Sequence, residues 1–172
     1  AKATASVLWT ETPAGWAEMR DLDITPDGAA LAQRRPKERL MNFTRIRALR
    51  GPNLWSRNTA IEAIVNCNAD ESDIGRLSGF EERLRALFPA IGEHWPIEGG
   101  PVNLAQVLEL AALALQAQAG CPVTFSRTAH TPEAGVFQVI VEYTEEAVGR
   151  QAFQDAQSLI AAAQQGGAFD CD

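Results

Sequence analysis

Arg45-Ile46-Arg47-Ala48-Leu49-Arg50-Gly51-Pro52-Asn53-Leu54-Trp55-Ser56-Arg57-Asn58-Thr59-Ala60-Ile61-Glu62 is the stretch on which the fold turns. Ile46 and Ala48 alternate with Arg45 and Arg47, so Thr44 to Arg50 reads as a strand with one buried and one polar face. Gly51-Pro52-Asn53 breaks the pattern as a turn, and Trp55 stands beside Arg57 before alternation resumes. Ile61, Ala63, Val65 and Cys67 then alternate with Glu62 and Asn66, which predicts a second strand. The segment is therefore two early strands joined by a polar, aromatic-bearing corner.

Helical signals follow. Ser78-x-x-Glu81 has the form of a capping box, ahead of Phe80, Leu84, Leu87 and Phe88 at helical spacing, with Pro89 as the stop. Residues 91–100 are broken by Gly and Pro. Asn103 is placed to cap a helix carrying Leu104, Val107, Leu108, Ala111 and Leu115 on one face, ended by Gly120 and Pro122. Leu110, Leu113 and Ala117 make its opposite face apolar too, which predicts a central position in the domain. Val123 to Arg127 and Val136 to Tyr143 read as two further strands, joined by a loop containing Thr131-Pro132-Glu133-Ala134-Gly135 that is too long for a two-residue hairpin turn. Thr144 is placed to cap a last helix, with Glu145 and Glu146 in its first turn and Val148, Ala152, Ala156, Leu159 and Ile160 facing inward. The order strand, strand, helix, helix, strand, strand, helix predicts an α+β fold with a small, mostly antiparallel sheet covered by helices.

At 172 residues the chain has the size of one domain. Its net charge of −7 is unevenly spread: residues 1–40 balance six basic against six acidic groups, whereas residues 41–172 carry nine against sixteen, and all nine are arginine. An acidic chain repels phosphate backbones, so nucleic acid is not an expected partner. Arginine favours planar, bidentate contact with carboxylates. Cys67, Cys121 and Cys171 show no Cys-x-x-Cys spacing and argue against a disulfide framework or a zinc knuckle. No apolar run reaches the length of a membrane span, and no targeting pattern opens the chain, so the expectation is a cytoplasmic protein without a membrane partner.

Three blocks in order, Arg45 to Glu62, Gln116 to Thr128 and Pro132 to Arg150, resemble the amino-terminal domain of cyanophycin synthetases, bacterial enzymes that polymerise aspartate and arginine into a storage peptide. The resemblance covers about residues 41–172. It implies that Met41 is the native start and residues 1–40 an amino-terminal extension, non-native or flexible. It further implies a domain over residues 41–163 and the start of an interdomain linker over residues 164–172. Partners implied are the cyanophycin polymer and the ATP-grasp and Mur-ligase-like domains of the parent chain, with ATP and Mg²⁺ expected for those domains and no cofactor or metal here. No phosphate-binding Gly-x-x-x-x-Gly-Lys-Ser/Thr loop is present. A homo-oligomer formed through the parent enzyme is left open.

In some members of that family the domain resembles a metallopeptidase that cuts the polymer into primers, through a His-x-x-Glu-His motif. The corresponding positions are Gln106, Glu109 and Leu110, so only the carboxylate remains and no catalytic residue is assigned. Two imidazoles on one helical face are what would hold zinc, and glutamine and leucine do not replace them. Gln106, three residues after Asn103, also fits a helix cap. His94 and His130 lack metal-ligand neighbours, and Cys121 reads as a small apolar residue.

Binding is the remaining expectation. A polyaspartate chain bearing arginine on every side chain needs carboxylates for its guanidinium groups and arginines for its carboxylates. Glu109, Glu142, Glu145 and Glu146 are candidates for the first role, and Arg47, Arg57 and Arg127 for the second. Trp55 is a candidate platform for a guanidinium; the alternative places Trp55 in the core and Arg57 in a surface ion pair. The expected function is thus non-catalytic anchoring of the growing chain, with polymer trimming or a structural, oligomer-forming role as alternatives.

Overall fold

The computed structural model describes residues 41–67, 73–95, 100–101 and 103–169. The extension expected over residues 1–40, Cys171 and the end of the expected linker lie outside them. The first strand, β1 (Met41–Leu49), pairs antiparallel with β2 (Ala60–Cys67). A 3₁₀ turn (Ile74–Arg76) leads to α1 (Phe80–Leu87), α2 (Ile91–His94) and α3 (Leu104–Gln118). The strands β3 (Ser126–His130) and β4 (Val136–Glu142) form a second hairpin, and α4 (Glu146–Gln165) ends the fold. Pairing of β2 with β4 joins the hairpins into one four-stranded antiparallel sheet of order β1-β2-β4-β3. The α+β expectation is borne out.

Alternation decides which face is covered. Ile61, Ala63, Val65 and Cys67 of β2 and Phe137, Val139 and Val141 of β4 point into one core with Leu104, Val107, Leu108, Ala111 and Ala112 of α3. Helix α4 adds Phe153, Ala156, Leu159, Ile160 and Ala163 to it. α3 is buried nearly all round, as its composition requires. Gly149 permits the close approach of α4 to the sheet, because a Cβ there would stand 2.8 Å from the Tyr143 Cβ and 3.0 Å from the Ile61 Cδ1.

Local signals held to differing degrees. The Asn103 side chain accepts from the Gln106 backbone N–H at 3.0 Å, the expected cap of α3. Ser78 does not cap α1: the chain enters through Gly79 in the left-handed region at φ 65°, one residue later, and no side chain bonds the helix start. Glu81 instead accepts from Arg85 one turn on, at 3.0 Å. Thr144 likewise lies one residue short of the α4 cap, which is Glu145. β3 begins three residues later than expected, at Ser126. The Phe125 carbonyl accepts from the Glu142 N–H at 3.1 Å, so pairing with β4 starts only there. The short helix α2 falls in a stretch expected to be irregular.

Cys67 closes β2 with no exposed surface, and burial pushes its thiol up to about 12. Because the thiolate is the nucleophile, alkylation with iodoacetamide at mildly alkaline pH should modify the half-buried Cys121 in the folded protein and reach Cys67 only on unfolding. Peptide mass mapping before and after denaturant checks this; equal labelling of both in the native state would contradict the burial of β2.

Candidate site on the helix-free sheet face

No described helix covers the second face of the sheet. The pairing register places Arg47, Glu62, Ile140 and Arg127 directly opposite one another, a single row crossing all four strands. The adjacent row is Arg45, Ile64, Gln138 and Ala129, and the next includes Leu49, Ala60 and Glu142. Strand spacing puts Arg47 and Arg127 about 14 Å apart across the sheet, and Arg45 and Arg47 about 7 Å apart along β1.

Glu62 is the centre of this face, 2% exposed. Arg45 Nη2 and Arg47 Nε both donate to its Oε2, at 3.3 and 2.5 Å, and Gln138 Nε2 donates to its Oε1 at 2.6 Å. Burial alone would raise the pKa of this carboxyl; hydrogen bonds from Arg47 and Gln138 and the charges of Arg47 and Arg45 outweigh it and hold the group below its ordinary value. The arginine side chains themselves stay 54% and 52% exposed.

The corner between β1 and β2 folds over the end of the same face. Asn53 organises it, accepting from the Trp55 and Ser56 N–H groups at 2.9 Å each and donating to the Asn58 carbonyl at 3.0 Å. Gly51 passes so close to the returning chain that a Cβ would stand 2.6 Å from the Arg57 carbonyl oxygen. Ser56 Oγ donates to Glu142 Oε1, and Asn58 Nδ2 donates to the same oxygen at 3.2 Å. The guanidinium carbon of Arg127 lies 4.9 Å from the Trp55 ring centroid, so the tryptophan is stacked by an arginine of its own chain.

The expected residues therefore divide into four groups. Arg47, Trp55, Arg127 and Glu142 share the helix-free face. Arg57 is exposed and lines a shallow polar depression with Asn58, Glu142 and Thr144. Glu145 and Glu146 lie at the start of α4, where Arg150 donates to Glu146 at 2.7 Å. Glu109 belongs to the opposite side of β3: Ser126 Oγ and Thr128 Oγ1 donate to its two carboxylate oxygens, each at 2.5 Å. The expectation missed Arg45, Glu62 and Gln138, whose only signal was the polar phase of strands with unknown register.

Gln106, Glu109 and Leu110 do not fit a metal. Both Glu109 oxygens are engaged by hydroxyl donors, and among the described residues no three His, Cys, Asp or Glu side chains converge. No described helix is long and apolar enough to cross a membrane.

Residues 64–165 match the family described as cyanophycin synthase-like N-terminal domain. The chain is similar to the cyanophycin synthetase of Geminocystis herdmanii (strain PCC 6308), 31% identical over 147 residues, covering 77% of this chain and 17% of that protein. The cyanophycin synthetase of Trichormus variabilis (strain ATCC 29413 / PCC 7937) is 31% identical over 132 residues, covering 69% of this chain and 15% of that protein. That of Synechocystis sp. (strain ATCC 27184 / PCC 6803 / Kazusa) is 28% identical over 132 residues, with the same coverage of 69% and 15%. The chain thus spans only 15–17% of the length of these relatives. Glu109, Arg127 and Glu142 fall inside the family match, and Arg45, Arg47, Trp55 and Glu62 precede it.

Proposed function

This chain belongs to the family of cyanophycin synthase-like N-terminal domains, and on that premise we propose that it is a non-catalytic anchor for the multi-L-arginyl-poly-L-aspartate chain in cyanophycin synthesis. The observation that carries the reading is the concentration of arginine on the helix-free sheet face. Arg45, Arg47 and Arg127 stand there within two adjacent rows, whose one carboxylate, Glu62, is buried beneath two of them. The rest of the chain is acidic, so this is where carboxylates of a polymer would be attracted. ATP, Mg²⁺ and bond formation are assigned to other modules of a longer protein. Tethering the polymer to such modules raises its effective concentration there, so modest affinity suffices.

Sedimentation of the full chain with insoluble cyanophycin at increasing salt tests this. Retention at low salt that declines as salt rises is expected, because exposed charge contacts are screened. No retention at low salt would defeat it.

The trimming alternative requires Glu109 to serve as a base or ligand, yet its carboxylate is held by Ser126 and Thr128. Incubation with cyanophycin and zinc is therefore expected to release no β-Asp-Arg oligomers. Their appearance in peptide analysis, and their loss in Glu109→Gln, would restore hydrolysis as the function.

A further inference from the structure

We infer that Glu62 is a positioning residue that gathers Arg45 and Arg47 into a paired receptor for ligand carboxylates. The inference rests on the proposed function and names what that face reads: carboxylates, not guanidinium groups.

A buried ion pair is weak as a stabilising device, since apolar residues of similar volume often do as well. This face could accept them, for Ile64 and Ile140 already lie in it beside Glu62. Glu62 does something an apolar residue could not. Two guanidinium groups about 7 Å apart on one strand face repel each other and would spread into solvent. The shared Oε2 of Glu62 draws both to one point instead.

Each arginine spends one N–H on that oxygen, Nη2 for Arg45 and Nε for Arg47, out of five donors. Gln138 holds the other carboxylate oxygen, so the template itself is fixed from β4. Two partly immobilised forks are the result, and a carboxylate docking on them orders less side-chain freedom than one that must gather free arginines. Arg127, across the row, adds a third cation about 14 Å away.

Glu62→Gln separates this from simple charge attraction. The substitution is isosteric and makes the face one unit more positive, so attraction alone predicts a stronger preference for a ligand that carries carboxylates over one that carries only guanidinium groups. The positioning role predicts a weaker preference, by about tenfold for losing one well-oriented charged contact. Affinity of the full chain would be measured by calorimetry for short soluble β-Asp-Arg oligomers and for counterparts in which agmatine replaces arginine, removing the branch carboxylates but keeping the guanidinium groups. The native chain is expected to favour the arginine oligomer by about tenfold or more, and Glu62→Gln to lose most of that preference. An unchanged or stronger preference in Glu62→Gln overturns the positioning role. Equal binding of both oligomers by the native chain overturns carboxylate reading while leaving anchoring intact; binding of neither overturns anchoring as well. Should Glu62→Gln unfold, Arg45→Lys with Arg47→Lys keeps the charge and removes the forks, and unchanged affinity in that variant overturns the inference.

Discussion

Neutralising the helix-free face is expected to lower the affinity of the full chain for cyanophycin by about a hundredfold, enough to abolish retention in a sedimentation assay. The variant is Arg45→Gln, Arg47→Gln and Arg127→Gln together with Glu62→Gln. The fourth change matters physically: removing both arginines alone would strand a carboxylate that is 2% exposed, and an unpaired buried charge costs about 3–5 kcal/mol of stability. Binding loss would then be confused with unfolding. A charge-assisted hydrogen bond contributes about 1.5–3 kcal/mol, and the exposure of these arginine side chains, about half for Arg45 and Arg47, reduces that toward 1 kcal/mol. Three such contacts give the hundredfold figure. Arg85→Gln with Arg150→Gln is the control, since both arginines sit in exposed helical pairs with Glu81 and Glu146. Equal loss in the control would reduce the effect to net charge, and undiminished retention in the fourfold variant would remove the sheet face from consideration.

The largest effect on stability is expected from Phe153→Ala, a loss of about 3–5 kcal/mol read from urea unfolding midpoints. Phe153 has no exposed surface and lies on the buried stripe of α4 between Ala152 and Ala156. Its ring meets that of Phe43 edge-on, with centroids 6.2 Å apart and planes at 68°, tying α4 to β1. Small neighbours give the surrounding structure little with which to close the cavity. Small domains are stable by about 5–15 kcal/mol, so the variant would unfold under mild conditions. Leu54→Ala is the contrast: that side chain is 94% exposed at the tip of the corner, and a change within about 0.5 kcal/mol is expected. A loss below about 1 kcal/mol in Phe153→Ala would mean that α4 is not anchored through this ring.

Elements with a strong apolar period were legible because burial and period are the same physical demand. β2 and α4 are of this kind; α3 was legible instead by being apolar nearly all round, and its cap at Asn103 by a bond to Gln106 that spans only three residues. Ser78 and Thr144 carried equally good cap chemistry and failed by one residue, because chain entry through Gly79 and Glu145 is set by what precedes each helix. Glu109 could be aligned with a family motif but not placed. Its partners Ser126 and Thr128 come from a strand whose start the sequence misplaced by three residues.

By itself, then, the sequence determined the α+β class, the family resemblance, the absence of histidine at positions 106 and 110, and the presence of arginine at alternate positions of an early strand. These are local or compositional facts, readable wherever each residue ends up. Tertiary structure alone decided that Arg47, Glu62 and Arg127 stand in one row, and that Glu109 lies on the other side of β3. It also decided that Trp55 is stacked by Arg127. Strand register is the reason. A shift of one residue would send every side chain of β2 to the opposite face, and only the joint fit of two hairpins against the buried stripes of α3 and α4 selects the phase in which Glu62 meets its two arginines.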